Sequence, residues 1–537
     1  MTETTNPRQD VETNMDCLRT RRQILKYGGA LTLPAFGVAA PSQAQTKKAK
    51  GERSMNTPTA VLSGLSASDV VTLIASGKLS AQAYMEHARE RAAAQSALNC
   101  FIAEDWSAAI DAAKRVDRRR QAGASLAPLE GLPISVKDNI NVSGWGTSGG
   151  TRALKAFRPQ EGESPLVARL RAAGAIVVAK TNMHELAFGI TNVNSDPFPG
   201  TARNPYDPSK ITGGSSGGAA ASVAGGIVPC ALGTDTSGSI RIPASLCGVV
   251  GFRPTVGNGA SNRRYDSTGI LPISPTKDTA GLMAGCVADV VLLDAVLTGS
   301  GPSARPALRG VRLAVPPCLW ADLDDGVRST MEAVQRKLSE AGVVFVGADM
   351  PQLFELNEQV SAALALHEPI AAVPRYLMES GAEGITLASI AAQIANPDVA
   401  GAWKAVLSDA FGSAYPDVMA IHRPRLQAYY RDYFVQHRVD AILFPATPVP
   451  AISIASAQTS QDMSINGAKP VPIFNTYVRH TDPGASAGLP GLVLPAGRTA
   501  EGLPVGLELD GIYGDDARLL ALGETIESLL GRLPRLA

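Results

Sequence analysis

Two kinds of hydrophobic pattern alternate along this chain. From Ser66 to about Gln95 the apolar positions, Val70, Leu73 and Ile74 among them, recur at helical spacing, and Ser66 and Ser80 stand where helix N-caps belong. The stretch 164–174, SPLVARLRAAG, predicts an amphipathic helix with Gly174 as its C-cap. IVVAKTN at 176–182 then predicts a buried strand, and GLPISVKDNI at 131–140 predicts a loop, a short buried strand and a turn. A helix feeding a buried apolar strand is the rhythm of a mixed or parallel sheet, so the expected class is α/β. Further on, the pattern predicts a helix from about Asp278 to Leu297, a strand at 311–316 and a helix from about Asp324 to Ala341. Buried strands are expected again at 441–448 and 491–497. Residues 350–430 are rich in helix formers and aromatics and carry no motif, and the chain has no internal repeat.

The N-terminus breaks this rhythm. TRRQILK at 20–26 sets Arg21 beside Arg22, a weakly apolar stretch runs from Tyr27 to Ala40, and small residues follow up to Ala44. A charged region, an apolar region and a small-residue cleavage site form the order of an export signal, and the arginine pair resembles the twin-arginine type. The reading expected is a signal over 1–44, a polar linker over 45–58 and a single large domain over 59–537, in a periplasmic or secreted protein. The competing reading is a disordered tail with a chance arginine pair. No other segment reaches about 18 uninterrupted apolar residues, so no membrane span is expected.

Composition adds exclusions. Basic and acidic residues balance at 49 each, which leaves no basic field for nucleic acid or an anionic membrane. The six cysteines, Cys17, Cys100, Cys230, Cys247, Cys286 and Cys318, are scattered and form no CxxC, so no metal site is expected. Twin-arginine export implies folding in a reducing compartment, so buried free thiols are expected.

The chemistry concentrates in GGSSGG at 213–218 and GTDTSGSIR at 233–241, which place Ser215 and Ser239 24 residues apart. Glycine lets the backbone turn its N–H groups toward a bound oxygen, and an acyl-transfer enzyme needs such donors at the tetrahedral oxyanion. It also needs a hydroxyl nucleophile and a base within reach. None of His87, His184, His367, His422, His437 and His480 sits in a familiar triad motif. Gly214-Ser215-Ser216-Gly217-Gly218 partly matches a nucleophile elbow, with Ser216 as the nucleophile. A phosphate cradle at the same glycines lacks the Lys-Ser/Thr ending of a P-loop. Lys137, at the end of a buried strand, is the better base: serving near pH 7 needs its pKa lowered by about 3 units, or about 4 kcal/mol, which burial can supply. By residue type alone, a lysine snorkelling from a strand end to the surface is the simpler reading.

GLPISVKDN at 131–139, GGSSGG and GTDTSGSIRIP at 233–243 together resemble the amidase signature family. The likeness extends to KTNMHELAFG (180–189), ARNPYDPSKITGG (202–214), GFRPTVG (251–257) and GLP…LPAG (488–497). It implies a mixed twisted β-sheet covered by helices in one large domain. It also implies Lys137 as catalytic lysine, Ser215 as a bridging serine after a cis peptide bond, and Ser239 as nucleophile. The backbone N–H groups of Thr236, Ser237, Gly238 and Ser239 correspond to the oxyanion hole, with Ser237 standing where many members have glycine. No cofactor or metal is implied, and the family's frequent dimers make a homodimer an open expectation.

Other residues near these motifs carry plainer expectations. Thr147, Ser148, Gly149 and Gly150 form a polar loop that lines the site in similar proteins, though a plain turn fits nearly as well, and Ser216 is a loop hydrogen-bonding group that could line it too. His184 is expected to be structural, and Asp235 with Arg241 to brace the nucleophile segment. NMHELAFGIT at 182–191 and RYDSTGILPIS at 264–274 resemble the indoleacetamide and mandelamide hydrolases, which implies a small aryl or arylalkyl amide as substrate. Specificity is expected from about 300–470 and from the loop 190–200. The alternatives are the glutaminase-type subunit of a tRNA amidotransferase, which the export-type signal opposes, and a catalytically silent binding protein on the same fold.

Overall fold

Strands follow one another along the chain as β1 (Phe101–Glu104), β2 (Pro133–Lys137), β3 (Ile176–Thr181), β4 (Cys230–Asp235), β5 (Val250–Arg253) and β6 (Thr279–Ala284). Then come β7 (Arg312–Ala314), β8 (Val344–Val346), β9 (Ala441–Pro445), the short pair β10 (Asp462–Met463) and β11 (Val471–Pro472), β12 (Gly491–Arg498) and β13 (Pro504–Asp510). The structure is a computed structural model that describes residues 62–160, 162–258, 263–533 and 536. The expected signal 1–44, the linker 45–58 and Cys17 lie outside the described residues.

Eleven strands form one sheet in the order β1-β3-β2-β4-β6-β5-β12-β13-β9-β7-β8. It is mixed: β2 runs parallel to both β3 and β4, β7 runs parallel to β8 and β9, and β12 is antiparallel to β5 and β13. Every residue of β2 and β4 is buried, so both faces of these central strands are covered. Helices cover the sheet and close a continuous core through residues such as Val70, Leu170, Leu282 and Leu492. No helix among the described residues is long and apolar enough to cross a membrane.

The expected caps are in place. Ser66 caps the helix Ala67–Ala75 in a capping box with Asp69, and the Ser80 side chain accepts from Ala83 N–H. The helix Pro165–Ala172 ends just before Gly174, whose φ is +96°. One expectation fails. The helix foreseen from Asp278 begins only at Val287, because Thr279–Ala284 is strand β6, paired on both sides with β4 and β5. A fully buried run without alternation carries no period of its own, and the open ladder positions between β4 and β5 decide its conformation. Residues 350–430, which lacked any motif, supply a group of helices that includes Leu353–Glu358, Ser361–His367, Pro369–Glu379 and Pro397–Leu407. Cys100, Cys247 and Cys286 are buried free thiols, Cys230 is buried as well, and Cys318 is free and half-buried.

Candidate active site

The site forms where the parallel strands β2 and β4 end side by side, the place where open α/β sheets hold ligands. Lys137 is the last residue of β2, and Asp235 closes β4 just ahead of the Thr236–Ser239 segment. Ser215 precedes the helix Gly217–Ala224, made of small residues and buried throughout. Gly218 shows why: a Cβ there would stand 2.5 Å from the carbonyl oxygens of Asn182 and Cys100. The Gly214–Ser215 peptide bond is cis.

Lys137 is wholly buried. Its Nζ lies 2.8 Å from Ser215 Oγ and 2.7 Å from Thr234 Oγ1. No carboxylate among the described residues lies within ion-pair distance of it. Burial drives its pKa down to about 7, although the more distant Asp235 and Asp278 favour the charged form. Asn139 Nδ2 donates to Thr234 Oγ1 at 3.1 Å, so the threonine oxygen is held by two donors and fixes the lysine head. Neither Thr234 nor Asn139 stood out in the sequence, although both lie inside the motifs that did. The signal available was their position, one residue after Gly233 and two after Lys137.

Ser239 is 5 % exposed, and its hydroxyl makes no hydrogen bond to the described residues. It is tied to the Ser215 loop through the backbone, Ser216 N–H donating to the Ser239 carbonyl at 3.1 Å. Lys137 and Ser215 are therefore in direct contact, whereas the Ser215 and Ser239 hydroxyls are not hydrogen-bonded to each other. The backbone N–H groups of Thr236, Ser237 and Ser239 have no acceptor among the described residues. Gly238 differs from the expected oxyanion set, because its N–H donates to Asp235 Oδ1 at 2.9 Å and is already engaged. Its φ of +132° and the 2.3 Å from a built Cβ to Thr481 Oγ1 admit only glycine. Ser237 takes no positive φ, so the serine in place of glycine adds no backbone strain.

Asp235 and Arg241 brace this segment as expected. Arg241 Nε and Nη2 each lie 3.1 Å from the Asp235 carboxylate, and Arg253 Nη1 adds a contact at 3.0 Å. Burial alone would raise Asp235, but the two guanidinium groups overturn that and hold its carboxyl well below the usual range. Arg241 also donates to Glu508 Oε1 at 2.6 Å, which anchors the brace on β13.

A cavity of about 380 Å³ opens over Thr234, Thr236 and Asn139. Its walls include Ala187, Leu271, Ile273, Ala372 and Tyr376, with Arg263, Asp266, Arg375 and Glu379 among the charged lining residues. Asp278 also lines it, and burial pushes that carboxyl up to about 6 against hydrogen bonds from Thr236, Ile273 and Ser274. Thr147, Ser148, Gly149 and Ser216, expected to line the site, are not among the residues that line this cavity. Lys180 Nζ reaches Thr147 Oγ1 at 3.2 Å, Ser148 donates to Asp138 through both N–H and Oγ, and Gly149 N–H donates to the Asp138 carbonyl. The loop 147–149 thus closes around a buried Lys180–Asp138 pair. Ser216 Oγ points inward and donates to the Thr234 carbonyl at 3.0 Å. The loop 190–200 does not line the cavity either, whereas the helix Pro369–Glu379 does. His184 is structural: its Nδ1 accepts from Asn192 N–H at 3.1 Å, and its Nε2 lies 3.2 Å from Asp398. No group of metal-ligating side chains is found among the described residues.

Comparison with known proteins places the chain. The family model described as Amidase matches residues 83–520. The chain is 41% identical over 485 residues to a mandelamide hydrolase of Pseudomonas putida, covering 88% of this chain and 92% of the relative. It is 43% identical over 446 residues to an indoleacetamide hydrolase of Agrobacterium vitis, covering 82% and 91%. An amidase crystal structure superposes with a TM-score of 0.75 at 34% identity, over 87% of this chain and 100% of the other. A native peptide amidase from Stenotrophomonas maltophilia gives 0.72 at 30% identity, over 88% and 98%. With most of its length matched in family, relatives and fold, this chain belongs to the amidase signature family.

Proposed function

We propose that this amidase is a serine hydrolase that cleaves small aryl or arylalkyl carboxamides through an acyl-enzyme on Ser239. The observation that carries the reading is Lys137: a fully buried amine 2.8 Å from Ser215 Oγ, with hydroxyls rather than a carboxylate at its head. Burial holds it near a pKa of about 7, where a neutral fraction is present at ordinary pH. The neutral amine takes the Ser215 proton, Ser215 takes the Ser239 proton, and Ser239 Oγ attacks the amide carbonyl. That relay needs Ser239 to turn onto Ser215 as substrate enters, a tightening usual between free enzyme and substrate complex. The oxyanion is received by the N–H groups of Thr236, Ser237 and Ser239. The proton passes back through Ser215 to the leaving nitrogen as the C–N bond breaks. Water then hydrolyses the ester by the same relay in reverse.

The aryl preference is supported by the relatives named for mandelamide and indoleacetamide, and by a cavity walled by Leu271, Ile273, Ala372 and Tyr376. The test is ammonia or amine release from indoleacetamide, mandelamide, phenylacetamide, an anilide and a carbamate, beside Ser239→Ala. Turnover of the aryl primary amides, lost in the variant, is expected. A folded protein inert on every member overturns the reading. Export is proposed with it, from the arginine pair at 21–22 and the small residues before Ala44. Expression with and without an Arg21→Lys/Arg22→Lys change, followed by fractionation, checks it: the periplasmic fraction should be lost in the variant.

A further inference from the structure

The peptide segment that carries the oxyanion donors is clamped from two sides by residues far apart in the chain. On one side Thr236 Oγ1 donates to Asp278 Oδ1 at 2.6 Å. The other oxygen of that carboxylate accepts Ile273 and Ser274 N–H groups at 2.7 and 2.8 Å, so Asp278 is itself immobilised. On the other side Thr481 Oγ1 donates to the Ser237 carbonyl at 2.6 Å. The Ser237–Gly238 peptide therefore has its carbonyl on Thr481 and its N–H on Asp235, and its plane cannot rotate. Fixing that plane fixes the aim of the flanking Ser237 and Ser239 N–H groups.

The chain neighbours of the two clamps are joined to each other. Lys277 precedes Asp278, Asp482 follows Thr481, and Lys277 Nζ meets Asp482 Oδ1 at 2.6 Å. Both side chains are buried, and neither lines the cavity. Ser361 Oγ accepts from Lys277 Nζ at 2.8 Å, and Asn357 Nδ2 donates to Asp482 Oδ2 at 2.6 Å. The pair is thus held by two helices of the 350–430 stretch. A buried ion pair is a poor source of net stability compared with apolar side chains of the same volume, but it holds direction and distance tightly. We propose that Lys277 and Asp482 are positioning residues that lock the Asp278 clamp to the Thr481 clamp and so set the aim of the oxyanion donors. The catalytic consequence rests on the hydrolase reading above, whereas the mechanical one does not.

The test uses the full chain with Lys277→Met/Asp482→Leu, which removes both charges and leaves neither buried alone. Folding is checked by circular dichroism and thermal melting. Deuterium exchange of the peptide covering 236–239, read by mass spectrometry, is expected to rise severalfold over wild type, with exchange in β12 and β13 unchanged. On an amide that the wild type turns over, kcat is expected to fall about tenfold or more while KM stays within a few-fold, as for donors displaced from a developing charge. Lys277→Arg, which keeps a cation for Asp482, should retain most of kcat. Unchanged exchange at 236–239 in the folded double variant overturns the proposal whatever the rates, and so does a raised KM at constant kcat. Should the double variant not fold, Thr481→Val removes one clamp at nearly constant shape, and unchanged exchange there overturns it equally. Because exchange needs no substrate, a wild type inert on every amide would sink the hydrolase reading and still leave the clamp decided.

Discussion

Lys137 and Lys180 are both wholly buried and sit on neighbouring parallel strands, with Lys180 in register with Val136. Side chains alternate along a strand, so the two amines leave the sheet on opposite faces. Their surroundings diverge. Lys180 Nζ lies 3.0 Å from Asp138 Oδ1 and 2.7 Å from the Gly146 carbonyl. Lys137 meets only oxygens of neutral groups, chiefly the Ser215 and Thr234 hydroxyls. Burial lowers both pKa values, but beside Lys180 the Asp138 carboxylate works directly against it. Lys277, the third buried lysine among the described residues, is paired as Lys180 is, with Asp482. Burial alone thus does not make a lysine a base. On the proposed mechanism the difference is the contact carboxylate, which among the described buried lysines is absent only at Lys137.

The comparison breaks most visibly by deleting each amine in turn. Lys137→Met should lower kcat for amide hydrolysis by about a thousandfold or more, the upper part of the range for a lost general base. The same variant should melt at a higher temperature than wild type at pH 6. The folded pKa of Lys137, about 7, is below its unfolded value, so the unfolded chain binds more protons between the two. Wild-type stability therefore rises with pH through that window, the penalty is full below pH 7, and the stabilising effect of the variant should shrink toward pH 9.5. Lys180→Met should do the opposite. It strands the Asp138 carboxylate in the interior and should cost about 3–5 kcal/mol, read as a lowered melting temperature. Its activity per folded molecule should stay within a few-fold of wild type. Equal losses of activity in the two variants would erase the distinction between base and structural pair.

Part of this contrast was legible in the sequence. Lys137 at the end of an apolar run was readable as a desolvated amine, and the motifs around Ser215 and Ser239 implied their partners. The bracing role of Asp235 and Arg241 was readable as well. Less legible was which polar groups the fold spends internally. Thr147, Ser148 and Gly149 follow Lys137 closely in the chain, yet their polar groups are spent on Lys180 and Asp138. Gly238 N–H, expected at the oxyanion, is taken by Asp235 three residues earlier, a short-range bond that no motif spacing reveals. Strand β6 was misread for a related reason, since only its two partners tell a buried strand from a buried helix. The cavity wall from Ala372 to Glu379, which sets Ala372 and Tyr376 beside the charged Arg375 and Glu379, comes from a stretch with no motif at all, because lining a cavity needs shape rather than a fixed spacing of residues.

A finer test asks what keeps Lys137 at its working pKa. Thr234→Val removes a hydroxyl at nearly constant volume, and with it the acceptor shared by Lys137 and Asn139. The lost acceptor favoured the charged amine and also aimed its head. The variant should show a kcat reduced about tenfold and the pH-dependent rise of kcat/KM displaced to lower pH.

The smallest effect expected is that of Asp278→Asn on the same limb. In wild type, kcat/KM should rise with pH through about 7 as Lys137 loses its proton, and level off above. Asp278 titrates near 6, so it is largely ionised across that rise and favours the protonated lysine from beyond contact distance. Asparagine removes that charge, and the limb should move to lower pH by less than it does in Thr234→Val. The position of the limb must be read rather than its height, because the substitution also disturbs the bond to Thr236 and lowers kcat by itself. A shift to higher pH, or a limb that stays in place in both variants, would mean that the group titrating in the rate is not Lys137.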